Sequence, residues 1–226
     1  DYLGKIKLII FDLDQTLIDT FHRFFDVFNE TLKAYNLKEI DLNTFSRLYK
    51  EDRLNDLLPD SINKKEFWIR FRRLYSSFEN SKDSLIDGVP EVLKFLKSNG
   101  YSIVVTTGRE AKPEQIKDEL DKFNIGSFVD LVLTLAQQDP SEEEELFSRA
   151  GILKQILQKY NVKKEEVVFV GDYWVDMDAG KKVGIFTIGV LTGHEPEEKL
   201  YKYGASLVIP SVVHLPQVLK KIENEN

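Results

Sequence analysis

The stretch Leu8-Ile9-Ile10-Phe11-Asp12-Leu13-Asp14-Gln15-Thr16 constrains this chain most. An unbroken apolar run of this length reads as a strand buried on both faces, as in a parallel sheet covered by helices. It ends in two carboxylates one residue apart, then a hydroxyl residue. Continued as a strand, Asp12 and Asp14 would share a face. A turn at Gln15 instead sends both to the carboxyl edge of the sheet, where open α/β folds bind their ligands. Two acids this close repel unless a cation lies between them or one is protonated.

The rest of the chain alternates helical and strand patterns. Phe21, Phe24, Phe25, Phe28, Leu32 and Tyr35 follow helical spacing. Asp41-Leu42-Asn43-Thr44 reads as a helix cap, followed by Phe45, Leu48, Tyr49 and a helix to about Leu57 that Pro59-Asp60 breaks. Phe67, Trp68, Phe71, Leu74, Tyr75 and Phe78 form another helical face, whose aromatic stripe reads as core. Without a strand pattern from 20 to 84, this segment reads as a small all-helical insertion. Gly88-Val89-Pro90 opens a helix that Asn99-Gly100 ends. Strand patterns follow at Tyr101–Val105, Phe128–Leu133, Val167–Val170, Ile185–Val190 and Ser206–Ile209. Helical patterns lie at Pro113–Phe123, Ile152–Tyr160, Met177–Val183 and Gln217–Ile222, and the acidic run Glu142–Glu145 reads as a solvated helix start. Alternation of this kind implies parallel βαβ units. The expected architecture is an α/β, Rossmann-like parallel-sheet core of residues 1–19 and 85–226, with a helical cap domain at 20–84.

Composition narrows the chemistry. A net charge of −7 argues against a nucleic-acid surface, and no apolar stretch approaches the length of a membrane span. Asp1-Tyr2-Leu3-Gly4-Lys5 begins too close to the first strand for a signal peptide, and a chain with no cysteine suits the cytoplasm. His22, His194 and His214 lack metal-ligand spacing, so carboxylates must carry the chemistry, and hard oxygen ligands favour Mg²⁺.

Several features share the strand ends: Asp12, Asp14 and Thr16 after the first, Thr106 after the second, and Gly171-Asp172 with Asp176 after a later one. Arg149 lies near the start of the preceding helix. Phosphoryl transfer through an aspartyl phosphate suits this set. Asp12 would attack, and Asp14 would protonate the leaving oxygen and then activate water. Asp172 with Asp12 would hold Mg²⁺, and Thr106 with a cation would bind the transferring oxygens.

These residues resemble the motifs of the haloacid dehalogenase superfamily. Asp12-Leu13-Asp14-Gln15-Thr16-Leu17 is similar to its Asp-x-Asp-x-Thr first motif, and Ile103-Val104-Val105-Thr106 to its second. Gly171-Asp172-Tyr173-Trp174-Val175-Asp176 resembles the fourth motif, with Asp178-Ala179-Gly180 and Val183-Gly184 as its tail, and Asp87-Gly88-Val89-Pro90 precedes the second. The resemblance, of phosphoglycolate-phosphatase type, implies a Mg²⁺-dependent phosphatase with a helical cap after the first motif. It implies Asp12 as nucleophile, Asp14 as acid/base and a ligand through its backbone carbonyl, Asp172 as metal ligand, Asp176 as a supporting acid, and Thr16 as a brace for the loop.

Two departures stand out. Gln15 replaces the commoner glycine, and the usual third-motif lysine is matched by Arg149 in Ser148-Arg149-Ala150-Gly151-Ile152-Leu153, with Lys154 as the alternative. Arginine keeps the charge and can grip phosphate with two donors. Dehalogenases of the superfamily need neither the second acid nor a metal, so Asp14 and Asp172 favour phosphate chemistry. A phosphomutase would reuse the same residues, and a catalytically weak phospho-ligand-binding protein is a further alternative. The expected partner is a small phosphorylated metabolite, met by a monomer or homodimer. Thr107, Gly108 and Arg109 are candidate substrate contacts, as are His22, Lys50, Arg53, Arg70, Arg72 and Arg73 in the cap.

Overall fold

The computed structural model describes residues 5–225. Asp1-Tyr2-Leu3-Gly4, expected from its distance to the first strand not to be a signal peptide, lies outside them. The chain divides into two compact units, Asp1–Asp19 with Leu85–Asn226, and Thr20–Ser84.

The larger unit is a parallel α/β structure. Its strands are β1 (Leu8–Asp12), β4 (Ser102–Thr107), β5 (Leu131–Thr134), β6 (Val167–Gly171), β7 (Phe186–Val190) and β8 (Leu207–Ile209). They form one sheet in the order β5-β4-β1-β6-β7-β8, and the two-residue strands β2 (Ile18–Asp19) and β3 (Ser84–Leu85) make a separate sheet. β1 is central and fully buried, which is why its sequence is apolar up to the closing Asp12 rather than at alternate positions. Its residues alternate between two cores. Ile9 and Phe11 join Ile103, Val105, Val168 and Val170 on one face, while Leu8 and Ile10 join Val104, Val167 and Phe169 on the other.

Helices cover both faces because each carries an apolar stripe. α4 (Val89–Ser98), α5 (Pro113–Lys122) and α9 (Leu215–Glu225) bury Leu93, Ile116 and Leu219 on the first face. α6 (Ala150–Tyr160) and α7 (Trp174–Val183) bury Leu153, Ile156 and Ala179 on the second. The short α8 (Glu197–Tyr203) buries Leu200. The parallel register Asp12↔Thr106 and Phe11↔Val170 brings the carboxyl ends of β1, β4 and β6 level with one another, and the site is built there.

The smaller unit holds α1 (Phe21–Ala34), α2 (Leu42–Lys50) and α3 (Lys64–Ser77) around Phe28, Phe45, Phe67 and Phe71. Asp41 caps α2 by accepting from the Thr44 N–H at 2.7 Å, and Asn63 caps α3 through Glu66 N–H at 3.0 Å. Within this unit Arg23 is buried on Asp83, at 2.8 and 3.0 Å.

Two expected elements differ. The second helix of the smaller unit ends at Lys50 rather than near Leu57. Asp52 adopts a left-handed conformation there, and Leu54–Leu57 is a separate 3-10 turn. Nor does the run Glu142–Glu145 start a helix. Asp139 caps a 3-10 turn over Pro140–Glu142, Phe147 turns left-handed (φ 73°), and α6 begins only after Arg149. The helix start is set instead by Gln138, whose Oε1 accepts from Ile152 N–H at 3.0 Å.

Candidate active site

The first motif turns as its spacing requires. β1 stops at Asp12, and the Leu13 carbonyl accepts from the N–H groups of Thr16, Leu17 and Ile18. Gln15 takes φ 63°, a conformation for which glycine carries less strain. The Thr192 hydroxyl donates to the Gln15 carbonyl at 2.5 Å and ties down this turn.

Asp12 is buried, with each carboxylate oxygen engaged. Arg149 Nη1 donates to Oδ1 at 2.8 Å, and the Thr16 hydroxyl lies 3.3 Å from Oδ2. The same hydroxyl reaches Asp172 Oδ1 at 3.1 Å, so Thr16 spans two carboxylates. Arg149 also donates through Nη2 to Asp176 Oδ1. Lys154, the alternative cation of the sequence reading, is exposed on α6. Asp14 faces the other way: Arg109 grips its carboxylate, and Thr107 Oγ1 lies 3.4 Å from Oδ2. Gly108 meets the Phe147 ring, which a Cβ would touch at 3.4 Å.

Within the smaller unit, the candidate contacts have varied surroundings. Arg53 is exposed and paired with Glu51 and Asp56, Arg70 lies over the Tyr35 ring, Lys50 and Arg73 are exposed, Arg72 is buried and His22 half-buried. In the larger unit His194 lies on Glu195, and His214 is exposed.

Asp12, Asp172 and Asp176 each offer a carboxylate oxygen, and these lie within 4.8 Å of one another in a buried site. Burial pushes the Asp172 carboxyl well above its ordinary range, the neighbouring Asp12 adds to this, and the Thr16 hydroxyl opposes it. Burial raises Asp176 to about 7, although Arg149 pulls it down. Burial alone would lower the Arg149 guanidinium, but Asp176 and Asp12 raise it above its usual value. One guanidinium therefore does not neutralise three buried acids. Asp176 Oδ2 has no hydrogen-bond partner among the described residues, nor do Arg149 Nε and Thr106 Oγ1. Hard oxygens in excess of positive charge, with one carboxylate oxygen unpaired, fit a divalent cation such as Mg²⁺.

This charge imbalance has a measurable consequence. Asp176 titrates near 3.8 when unfolded and near 7 when folded, so its cost to the metal-free fold is absent below the lower value and complete above the upper one. Without metal, the urea midpoint of the wild type, measured against Asp176→Asn, should fall as pH rises from about 4 to 7. Saturating Mg²⁺ should restore it, by about 2.7 kcal/mol at a hundred times Kd. A pH-independent difference would contradict the assignment.

Three contributors, Gln138, Thr192 and Gly193, are not singled out by the sequence. Gln138 grips both sides of Arg149, donating to the Ser148 carbonyl at 2.8 Å as well as capping Ile152. Gly193 lies so close to Asp172 Oδ2 that a Cβ would collide with it, and Gly171 leaves room for Asp176 in the same way, at 2.7 Å. A glycine just past a strand end is the only signal for Gly193. Gln138 and Thr192 have none.

The model of the haloacid dehalogenase-like hydrolases matches residues 9–190. The chain belongs to this family. Among similar hydrolases, a glyceraldehyde 3-phosphate phosphatase of Pyrococcus furiosus is 29% identical, covering 99% of this chain and 96% of its own length. A phosphoglycolate phosphatase of Aquifex aeolicus is 27% identical over 84% and 86%. The fold is also that of a haloacid dehalogenase-like hydrolase from Streptococcus pneumoniae, with a TM-score of 0.73 at 21% identity over 94% of this chain and 98% of the other.

Proposed function

We propose that this hydrolase is a Mg²⁺-dependent phosphatase of small phosphate monoesters that works through a phosphoaspartate on Asp12. The observation that carries this reading is the set of Asp12, Asp172, Asp176, Arg149 and an unpaired Thr106 hydroxyl at adjoining strand ends. The names of the two phosphatase relatives, a phosphoglycolate phosphatase and a glyceraldehyde 3-phosphate phosphatase, support a small phosphorylated substrate. Asp12, Asp172 and the Asp14 backbone carbonyl would hold Mg²⁺, with Asp176 in support, and the ion would screen the charge between phosphate and the attacking carboxylate.

The chain's own groups account for the other steps. Asp12 attacks phosphorus and forms the acyl phosphate as the ester bond breaks. Asp14 gives a proton to the departing oxygen, then takes one from the water that hydrolyses the acyl phosphate. Thr106 Oγ1 and Arg149 donate to the transferring oxygens, where negative charge must be stabilised. Residues 20–84 act as a cap domain that selects the ester. The test is Mg²⁺-dependent phosphate release from p-nitrophenyl phosphate, followed by a panel of phosphorylated metabolites. Metal-dependent turnover is expected, and its absence under all conditions would overturn the reading.

A further inference from the structure

Arg109 is the largest fully buried side chain among the described residues, only 1% exposed. A guanidinium in such a place must be paired, because an unpaired buried charge costs several kcal/mol. Its Nε and Nη2 lie 3.2 and 2.7 Å from the two oxygens of Asp14, and Nη1 lies 2.6 Å from Glu119 Oε2 on α5. The backbone is fixed as well: Arg109 N–H donates to Thr107 Oγ1 at 3.2 Å, and its carbonyl accepts from Leu135 N–H at 3.0 Å. The Asp14 side chain, by contrast, is 24% exposed. Arg109 therefore stands behind Asp14, and to reach a substrate it would have to leave two carboxylates.

We propose that Arg109, backed by Glu119, is a positioning residue that fixes the Asp14 carboxylate for proton transfer to the leaving oxygen. This rests on the reading of Asp14 as acid/base. An aspartate beyond a tight turn has two free side-chain torsions, and a general acid acts only within hydrogen-bond reach of the atom it protonates. A fork held at both ends removes those torsions at little further entropic cost. The sequence alone suggests a substrate contact for Arg109, and the two roles differ in what they do to the leaving group.

The test compares kcat/KM for p-nitrophenyl phosphate with that for phenyl phosphate, whose phenol leaves poorly without a proton. Arg109→Met should raise the preference for p-nitrophenyl phosphate about tenfold or more, out of the roughly 10²–10⁴ that general acid catalysis supplies. Arg109→Lys should lie between it and wild type, and Glu119→Gln should move the ratio in the same direction by less. Asp14→Asn should raise the ratio at least as far, and Arg109→Met added to it should raise it no further. A ratio unchanged by Arg109→Met, with both substrates losing equally, is the signature of a substrate contact or a merely structural role and would overturn the proposal. Loss of all wild-type turnover, or full turnover in Asp12→Asn, would instead overturn the phosphatase reading. A denaturant cycle covers that case: the double variant should be no less stable than the weaker single variant, and strictly additive losses would overturn the coupling itself.

Discussion

Asp12→Asn should lower Mg²⁺-dependent phosphate release by about three orders of magnitude or more, equivalent to about 4 kcal/mol of transition-state stabilisation. The amide has no anionic oxygen with which to attack phosphorus, and no other carboxylate holds its place. Asp172 and Asp176 are buried beside it but engaged, one with the Thr16 hydroxyl and the other with Arg149. Structure should survive the change, because the amide keeps one oxygen for Arg149 and removes one of three crowded acids. Steady-state assays with circular dichroism check this. A variant that kept more than about a tenth of wild-type activity would remove Asp12 from the role of nucleophile.

Arg149→Met should have the second-largest effect, and it should act on activity and stability together. Arg149 spans Asp12 and Asp176, and without it three buried carboxylates would lose the cation that joins them. Removing one partner of a buried ion pair costs about 3–5 kcal/mol. Proton uptake by Asp172 and Asp176, whose carboxyls burial already raises, relieves part of this, so the metal-free variant should lose more stability at about pH 8 than at about pH 5. Mg²⁺ should return most of it. The rate should fall about 10²–10³-fold through the loss of a donor to the transferring oxygens. Arg149→Lys keeps the charge but not the two-pronged grip, and should retain more of both. Urea unfolding at the two pH values, with and without Mg²⁺, reads the stability part. Equal losses at both would mean that Arg149 acts by packing alone.

Much of this architecture was legible because its causes are local. A short apolar run without alternation, closed by acids, reads as a strand covered on both sides, and β1 is buried at every residue. Gln15 between two acids and a threonine signalled a turn, and its left-handed backbone makes one. The acidic run Glu142–Glu145 misled because negative charge suits a helix start, while the actual start of α6 is fixed from a distance by Gln138. The same limit applied to Arg109. Its place after Thr106 was visible in the sequence, but Glu119, its second partner, lies on the next helix and the pairing exists only once that helix packs. Arg149 was legible as a cation near a helix start. That it spans Asp12 and Asp176 was not, since the three residues come from separate βα units.

The central claim is that Asp12 carries the phosphoryl group during turnover. Borohydride reduces an acyl phosphate to the alcohol, so enzyme quenched during turnover and then reduced should yield homoserine at position 12 by peptide mass spectrometry. The account predicts that product at Asp12, dependent on substrate and Mg²⁺ and absent from Asp12→Asn. An unmodified Asp12 in actively turning-over enzyme, or homoserine at Asp14, Asp172 or Asp176 instead, would contradict it.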